Sequence, residues 1–203
     1  MDCDPAKTLK DMKTVHLITL GGCIAKTRVY NHAKKQYDTV VDNRIVYQTL
    51  SRYGDMHGFV NIVWSNLFNK GTSWQIEDTE IRRIQQTIID SPYELILITA
   101  GTGSLSTIGA QLMETAKKYN KRILVTGGWD NNFLDHGDFS KESRAFNLGN
   151  SVAYLMMLKE YGVWVCFSGI IRKCYVCNGE GKHLLKIHNA YQMAYTLQTD
   201  YKI

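Results

Sequence analysis

The chain has 203 residues, 44% hydrophobic and 21% charged, with only two prolines. This is the composition of an ordinary globular protein, long enough to bury one substantial core. No apolar run approaches the roughly 20 residues a membrane-spanning helix needs, and Met1-Asp-Cys-Asp-Pro5 lacks the apolar segment of a secretion signal, so the expectation is a cytoplasmic protein with no membrane partner. The net charge of +5 is modest. Its densest basic groups, Lys117-Lys118 with Lys121-Arg122, fall where a helix should end and read as a solvated helix terminus, so no nucleic-acid partner is expected. Five cysteines without a secretion signal argue against a disulfide framework.

Residues 1–13 are polar and read as a flexible arm. Val15 to Leu20 is a β-branched, apolar run that stops at Gly21-Gly22, with Cys23 next. A buried parallel strand has this near-continuous apolar character. Lys26 to Asp38 is polar with two tyrosines and reads as a mobile loop able to fold over the turn after the first strand. Asp42 is placed to cap a helix that Gly54 ends, and Phe59 to Trp64 reads as a second strand. Asn66 to Gln75 reads as a loop, and a helix opens at Glu77-Asp78 and stops before Pro92. Leu95 to Thr99 is a third strand running into Ala100-Gly-Thr-Gly-Ser104, followed by a helix over 104–119. Arg122 to Thr126 is a fourth strand running into Gly127-Gly128.

Trp129 to Phe139 reads as a Gly/Asp/Asn-rich loop, 142–161 as a helix and Val163 to Phe167 as a fifth strand. Arg172 to Ile187 reads as a β-hairpin, with a short helix near Ala190 to Leu197. Strands alternating with helices predict an α/β fold, a doubly wound, mostly parallel sheet of Rossmann-like or flavodoxin-like type with right-handed crossovers. The α/β domain is expected over 14–170, with 171–203 packed on it.

Three strands that each end in a Gly-bearing turn suggest one cleft lined by backbone N–H groups and hydroxyls at their carboxyl ends. The phosphate-loop pattern fails, because Ala25 stands before Lys26. The dinucleotide pattern fails at Ser106, where the third glycine should fall. Cys174, Cys177, His183 and His188 are zinc-ligand types, but a strand through Cys174-Tyr-Val-Cys177 places the two cysteines on opposite faces, so no metal is expected. Cys23 has better support as a reactive group, since a nearby cation or helix start raises its thiolate fraction. The bland alternative is an inert, buried small residue.

At these strand ends the chain resembles the bacterial-type L-asparaginases, most closely small relatives that lack the C-terminal domain. Ile18-Thr-Leu-Gly-Gly-Cys-Ile-Ala25 is similar to the family's Thr-Gly-Gly-Thr-Ile signature. Ile98-Thr-Ala-Gly-Thr-Gly-Ser104 is similar to its His-Gly-Thr-Asp-Thr signature. Ile123 to Gly128 with Ala145 to Gly149 resembles the strand and helix that follow. The resemblance implies a hydrolase of the side-chain amide of an amino-acid-like small molecule, acting through an acyl-enzyme, without metal or organic cofactor, in a homo-oligomer.

Carried onto this chain, the nucleophile falls on Cys23, the second threonine on Thr102, the assisting lysine on Lys141 and the mobile-loop tyrosine on Tyr30 or Tyr37. Substrate contacts fall on Gly22, Thr72, Ser73, Gly101, Gly103 and Ser104. The departures are pointed: Cys23 replaces threonine, Gly103 and Thr72 replace two aspartates, and Ala100 replaces histidine. Without those carboxylates a substrate ammonium has no counter-charge. Two readings follow: an amidohydrolase with an altered site, poor on free asparagine, or a catalytically degenerate fold that binds a small molecule or a protein partner.

Overall fold

The computed structural model describes residues 13–57, 60–71, 76–128 and 139–174, of which 53–57 and 139–143 as helix backbone. Strands β1 (Lys13–Gly21), β4 (Val60–Lys70), β5 (Leu95–Thr99), β6 (Arg122–Thr126), β7 (Gly162–Phe167) and β8 (Ile170–Lys173) form one sheet in the order β4-β1-β5-β6-β7-β8. The first five are parallel and β8 returns antiparallel. Every residue of β5 and β7 is buried, which is why these segments read as unbroken apolar runs rather than alternating ones.

Successive side chains leave a strand on opposite faces. Ile18, Ile96, Ile98 and Val125 face one way, under α2 (Asp78–Asp90), α3 (Leu105–Gln111) and α4 (Met113–Lys118). Leu17, Leu97 and Leu124 face the other way, under α1 (Arg44–His57) and α5 (Phe139–Met157). Ile84 and Ile88 of α2 and Ile108 of α3 are wholly buried, each contributing about 1.5–3 kcal/mol by leaving water. The parallel strands follow the 2-1-3-4-5 order of doubly wound sheets, so chain direction across the sheet reverses between β1 and β5, where such folds open a ligand crevice.

The expectation of uniformly right-handed crossovers fails. Moving outward from β1, the chain passes under the α1/α5 face to reach β4, then back under the other face to β5 and β6. These three crossovers share one hand. The β6–α5–β7 crossover advances in the same direction as β5 to β6 but on the opposite face, so it has the other hand. That route brings α5 against the turns that follow β1 and β6.

Other elements depart from expectation for local reasons. Residues 26–41 form a two-stranded hairpin, β2 (Lys26–Asn31) with β3 (Gln36–Val41), rather than an irregular loop. Tyr30 packs edge-on against Tyr37 across the strands, and Asn31 accepts the Ala33 and Lys34 N–H groups in the turn. Helix α1 runs through Gly54 to His57, and β4 extends to Lys70 because it pairs along β1 and holds its polar Asn66 in that pairing. The helix expected over 104–119 breaks at Leu112 into α3 and α4. The first C-terminal hairpin is β7–β8, through Ser168-Gly169, both with positive φ as such tight turns require. The hairpin and helix expected beyond Cys174 lie outside the described residues, as does the arm before Lys13.

One buried polar cluster lies on β1, away from the Gly-bearing turns. His16 bonds Ser91 Oγ through Nδ1 and Ser65 Oγ through Nε2, both at 2.8 Å. Lys121 Nζ donates to the Ser91 and Tyr93 carbonyls. Burial first, and the Lys121 charge second, hold the His16 pKa below its ordinary 6.5. The folded protein therefore binds a proton at His16 less readily than the unfolded chain. Stability from this site is complete above about pH 6.5 and is lost as pH falls from there toward the depressed folded value. Urea unfolding at pH 7.5 and 5.5 should show a lower midpoint at pH 5.5, and His16→Gln should shrink that difference.

Candidate functional site

Gly21 and Gly22 both have positive φ, at 95° and 80°, a conformation that favours glycine. A Cβ on Gly21 would lie 2.4 Å from the Lys70 carbonyl oxygen, and one on Gly22 would lie 2.3 Å from the Gly101 nitrogen. Gly22 N–H donates to Lys70 O at 2.7 Å. The end of β1 is thus wedged, backbone on backbone, between the ends of β4 and β5.

The same closeness extends to β6. Ala100 N–H donates to Thr126 O at 2.9 Å. A Cβ on Gly127 would lie 2.9 Å from Ala100 O, and one on Gly128 would lie 2.9 Å from the Ile24 Cα. Thr102 Oγ1 donates to Gly128 O at 2.8 Å, tying the turn after β5 to the turn after β6. Ser104 is buried, its hydroxyl turned back onto Gly101 O. The three turns therefore meet, as their glycines suggested, and bring together Gly22, Cys23, Gly101, Thr102 and Gly128.

Cys23 opens a one-turn 3-10 helix, Cys23–Ala25, directly after Gly22. Ile24 and Ala25 are buried while Cys23 is half-buried, so the turn anchors on its two apolar residues. Cys23 is thus partly rather than fully buried. Cys166 and Cys174 are fully buried: burial raises the pKa of both thiols, that of Cys174 to about 12. Cys174 packs in the core against Gly109. Cys177, His183 and His188 lie outside the described residues.

Two side chains of α5 hold this junction from beneath: Arg144, not singled out from the sequence, and Asn147, within the Ala145 to Gly149 motif. Arg144, only 6% exposed, donates through Nε to Ile24 O at 2.6 Å and through Nη2 to Lys26 O at 2.7 Å. Burial holds its pKa below the ordinary arginine value. Asn147 donates to Gly127 O and accepts the Ser168 N–H, both at 3.0 Å. Arginine in a polar stretch reads as helix surface, so the sequence around Arg144 carried no signal of its burial. On the other side of the sheet, Ala100 and Gly101 also wall a shallow depression with Leu20, Phe68 and Ile108, lined too by Lys70, which pairs with Glu80 at 2.5 Å.

The remaining sequence-predicted residues stand apart from the junction or beyond view. Tyr30 lies four residues along β2 from Lys26, about 14 Å at the rise of a strand, paired with Tyr37 and His32 and 41% exposed. Gly103 is half-exposed in the 3-10 turn after Gly101. Lys141 belongs to α5, but its side chain lies outside the described residues, as do Thr72 and Ser73. Gly22→Ala should lower unfolding stability by about 3 kcal/mol or more, from backbone strain plus the Gly101 clash. Gly149→Ala, in helix α5 with open space around it, should raise stability by about 0.5–1 kcal/mol. Denaturant midpoints of the two variants read both.

A family model for the N-terminal domain of asparaginases matches residues 14–193. No curated protein sequence matches the chain. Among solved structures, the chain is similar to a probable cytoplasmic L-asparaginase from Campylobacter jejuni, with a TM-score of 0.59 and 20% identity over 79% of this chain and 46% of that one. The chain thus spans about half the length of that structure, and at this identity the likeness is one of fold. With a family model covering nearly the whole described domain, and with the sheet order and Gly-bearing turns described above, the chain belongs to the asparaginase family through its N-terminal domain.

Proposed function

We propose that the protein is an asparaginase-type amidohydrolase with an altered site, acting on primary carboxamides that lack a free α-amino group. The observation that carries this reading is the half-exposed Cys23 on the turn after Gly22, where the turns after β1, β5 and β6 meet. In this reading the Cys23 thiolate attacks the amide carbon. The C–N bond breaks, and the nitrogen leaves as ammonia with the proton taken from the thiol, leaving a thioester. Water then hydrolyses the thioester to a carboxylate and restores the thiol. Backbone N–H groups of the turn that opens at Gly101 stabilise the oxyanion, since the Gly22 N–H is already given to Lys70 O. Thr102 and Lys141 assist proton transfer, Tyr30 closes over the site from the hairpin, and Thr72, Ser73, Gly103 and Ser104 contact substrate. A cytoplasmic homo-oligomer goes with this reading.

Free asparagine fits poorly. Gly103 and Thr72 offer no carboxylate, and a buried ammonium without a counter-charge costs several kcal/mol. One observation favours a second reading, a binding module on a degenerate site. The Thr102 hydroxyl proton already goes to Gly128 O, so in this state it holds the turns together rather than serving Cys23.

Ammonia release from succinamate and from short N-acylated asparagine amides separates the two. The amidohydrolase releases ammonia, and Cys23→Ala lowers the rate at least about 100-fold, as loss of a nucleophile does. Release that Cys23→Ala leaves unchanged contradicts the nucleophile assignment, and no release from any carboxamide favours the binding module. Cys23→Thr combined with Gly103→Asp should raise asparagine turnover about tenfold or more over wild type, measured by the same assay.

A further inference from the structure

We infer that Arg144 is the positioning residue for Cys23, its guanidinium clamping the Cys23–Ala25 turn and its charge favouring the thiolate. The inference rests on the reading of Cys23 as nucleophile. Three observations support it. Arg144 reaches across from α5 to the turn and bonds two carbonyls that bracket it, Ile24 O and Lys26 O, while the turn's own closing bonds run from Ala25 N–H to Gly22 O and from Lys26 N–H to Cys23 O. A planar fork grips two carbonyls at once, which a lysine ammonium does not do with the same geometry.

Arg144 is also 94% buried by its 6% exposure, and both of its hydrogen-bond acceptors among the described residues are neutral backbone oxygens. A cation sealed in this way is costly to keep, and its field is little screened where water is excluded. Finally, it bonds the carbonyl of the residue directly after Cys23. A nearby opposite charge lowers an acid's pKa, and thiolates are the nucleophilic form of cysteine. Of the charged groups on this turn and the elements packed on it, Lys26 and Arg28 are also cations, and Asp42, whose N–H donates to Ala25 O, has its carboxylate held by the Arg44 guanidinium. The reversed hand of the β6–α5–β7 crossover is what puts Arg144 on this side of the sheet.

The test is the pH dependence of iodoacetamide alkylation at Cys23, followed by peptide mass spectrometry so that the other cysteines do not contribute. Wild type should show a midpoint at least about one unit below the ordinary thiol value near 8.5. Arg144→Gln, which keeps a hydrogen-bonding head without charge, should raise that midpoint by about one unit or more, and Arg144→Lys should hold it within about half a unit. Equal midpoints in wild type and Arg144→Gln overturn the inference. If Arg144→Gln does not fold, the other two proteins decide: a depressed wild-type midpoint kept by lysine supports the inference, and an ordinary wild-type midpoint, or one that lysine does not keep, overturns it. A midpoint that moves with Arg144 in a protein releasing no ammonia would sink the amidohydrolase reading alone. Active amidohydrolase with an unmoved midpoint would sink this inference alone.

Discussion

The fold depends on one packing constraint: the turns after β1, β5 and β6 touch through bare backbone. Gly22 lies on Gly101, Gly127 on the Ala100 carbonyl and Gly128 on Ile24, each too close for any Cβ. This contact sets the sheet edge where the strand order reverses, and it leaves Cys23 as the first residue to emerge from the junction. Any side chain at these glycines would push the strand ends apart.

Beneath the junction lies a polar layer in an otherwise apolar face. Thr19, Thr99 and Thr126 sit side by side in register on three neighbouring strands; Thr19 bonds Asn66 and the Trp64 indole N–H, whereas the buried Thr99 and Thr126 hydroxyls meet no hydrogen-bond partner among the described residues. Asn43, at the start of α1, donates to Asn66 and to the Phe68 and Asn69 oxygens, while Asn147 and Arg144 reach in from α5. Buried polar groups fix geometry because each misplacement leaves a donor or acceptor unpaired. Apolar packing holds the middle of the sheet, and directional bonds hold its working edge. The opposite-handed crossover belongs to the same economy: it departs from the favoured topology in order to bring α5 under the turns.

Much of this was legible in the sequence because burial leaves a plain signature. Strands β1, β5, β6 and β7 are covered on both faces, so they read as continuous apolar runs ending at glycine, and the family motifs sit on those endings. Hairpin β2–β3 was not legible. It is exposed on both faces, Tyr30 and Tyr37 on one and Val29 and Val40 on the other, so its polar alternation looks like a loop. Strand β4 was read short because an edge strand tolerates Ser65, Asn66 and Asn69. Crossover hand leaves no mark in hydrophobic periodicity. Arg144 escaped notice for the same reason: its role comes from where α5 lies, not from the residues around it. The bond from Thr102 to Gly128 O could only be seen once the two turns were brought together.

Diffraction from crystals soaked in succinamate tests the shared cleft most directly. The account predicts density for the amide or its acyl product beside the Cys23 sulfur, bounded by Gly22, Gly101 and Gly128. Strand ends that stand apart, or a Cys23 sulfur turned into the core with the ligand bound elsewhere, would contradict it.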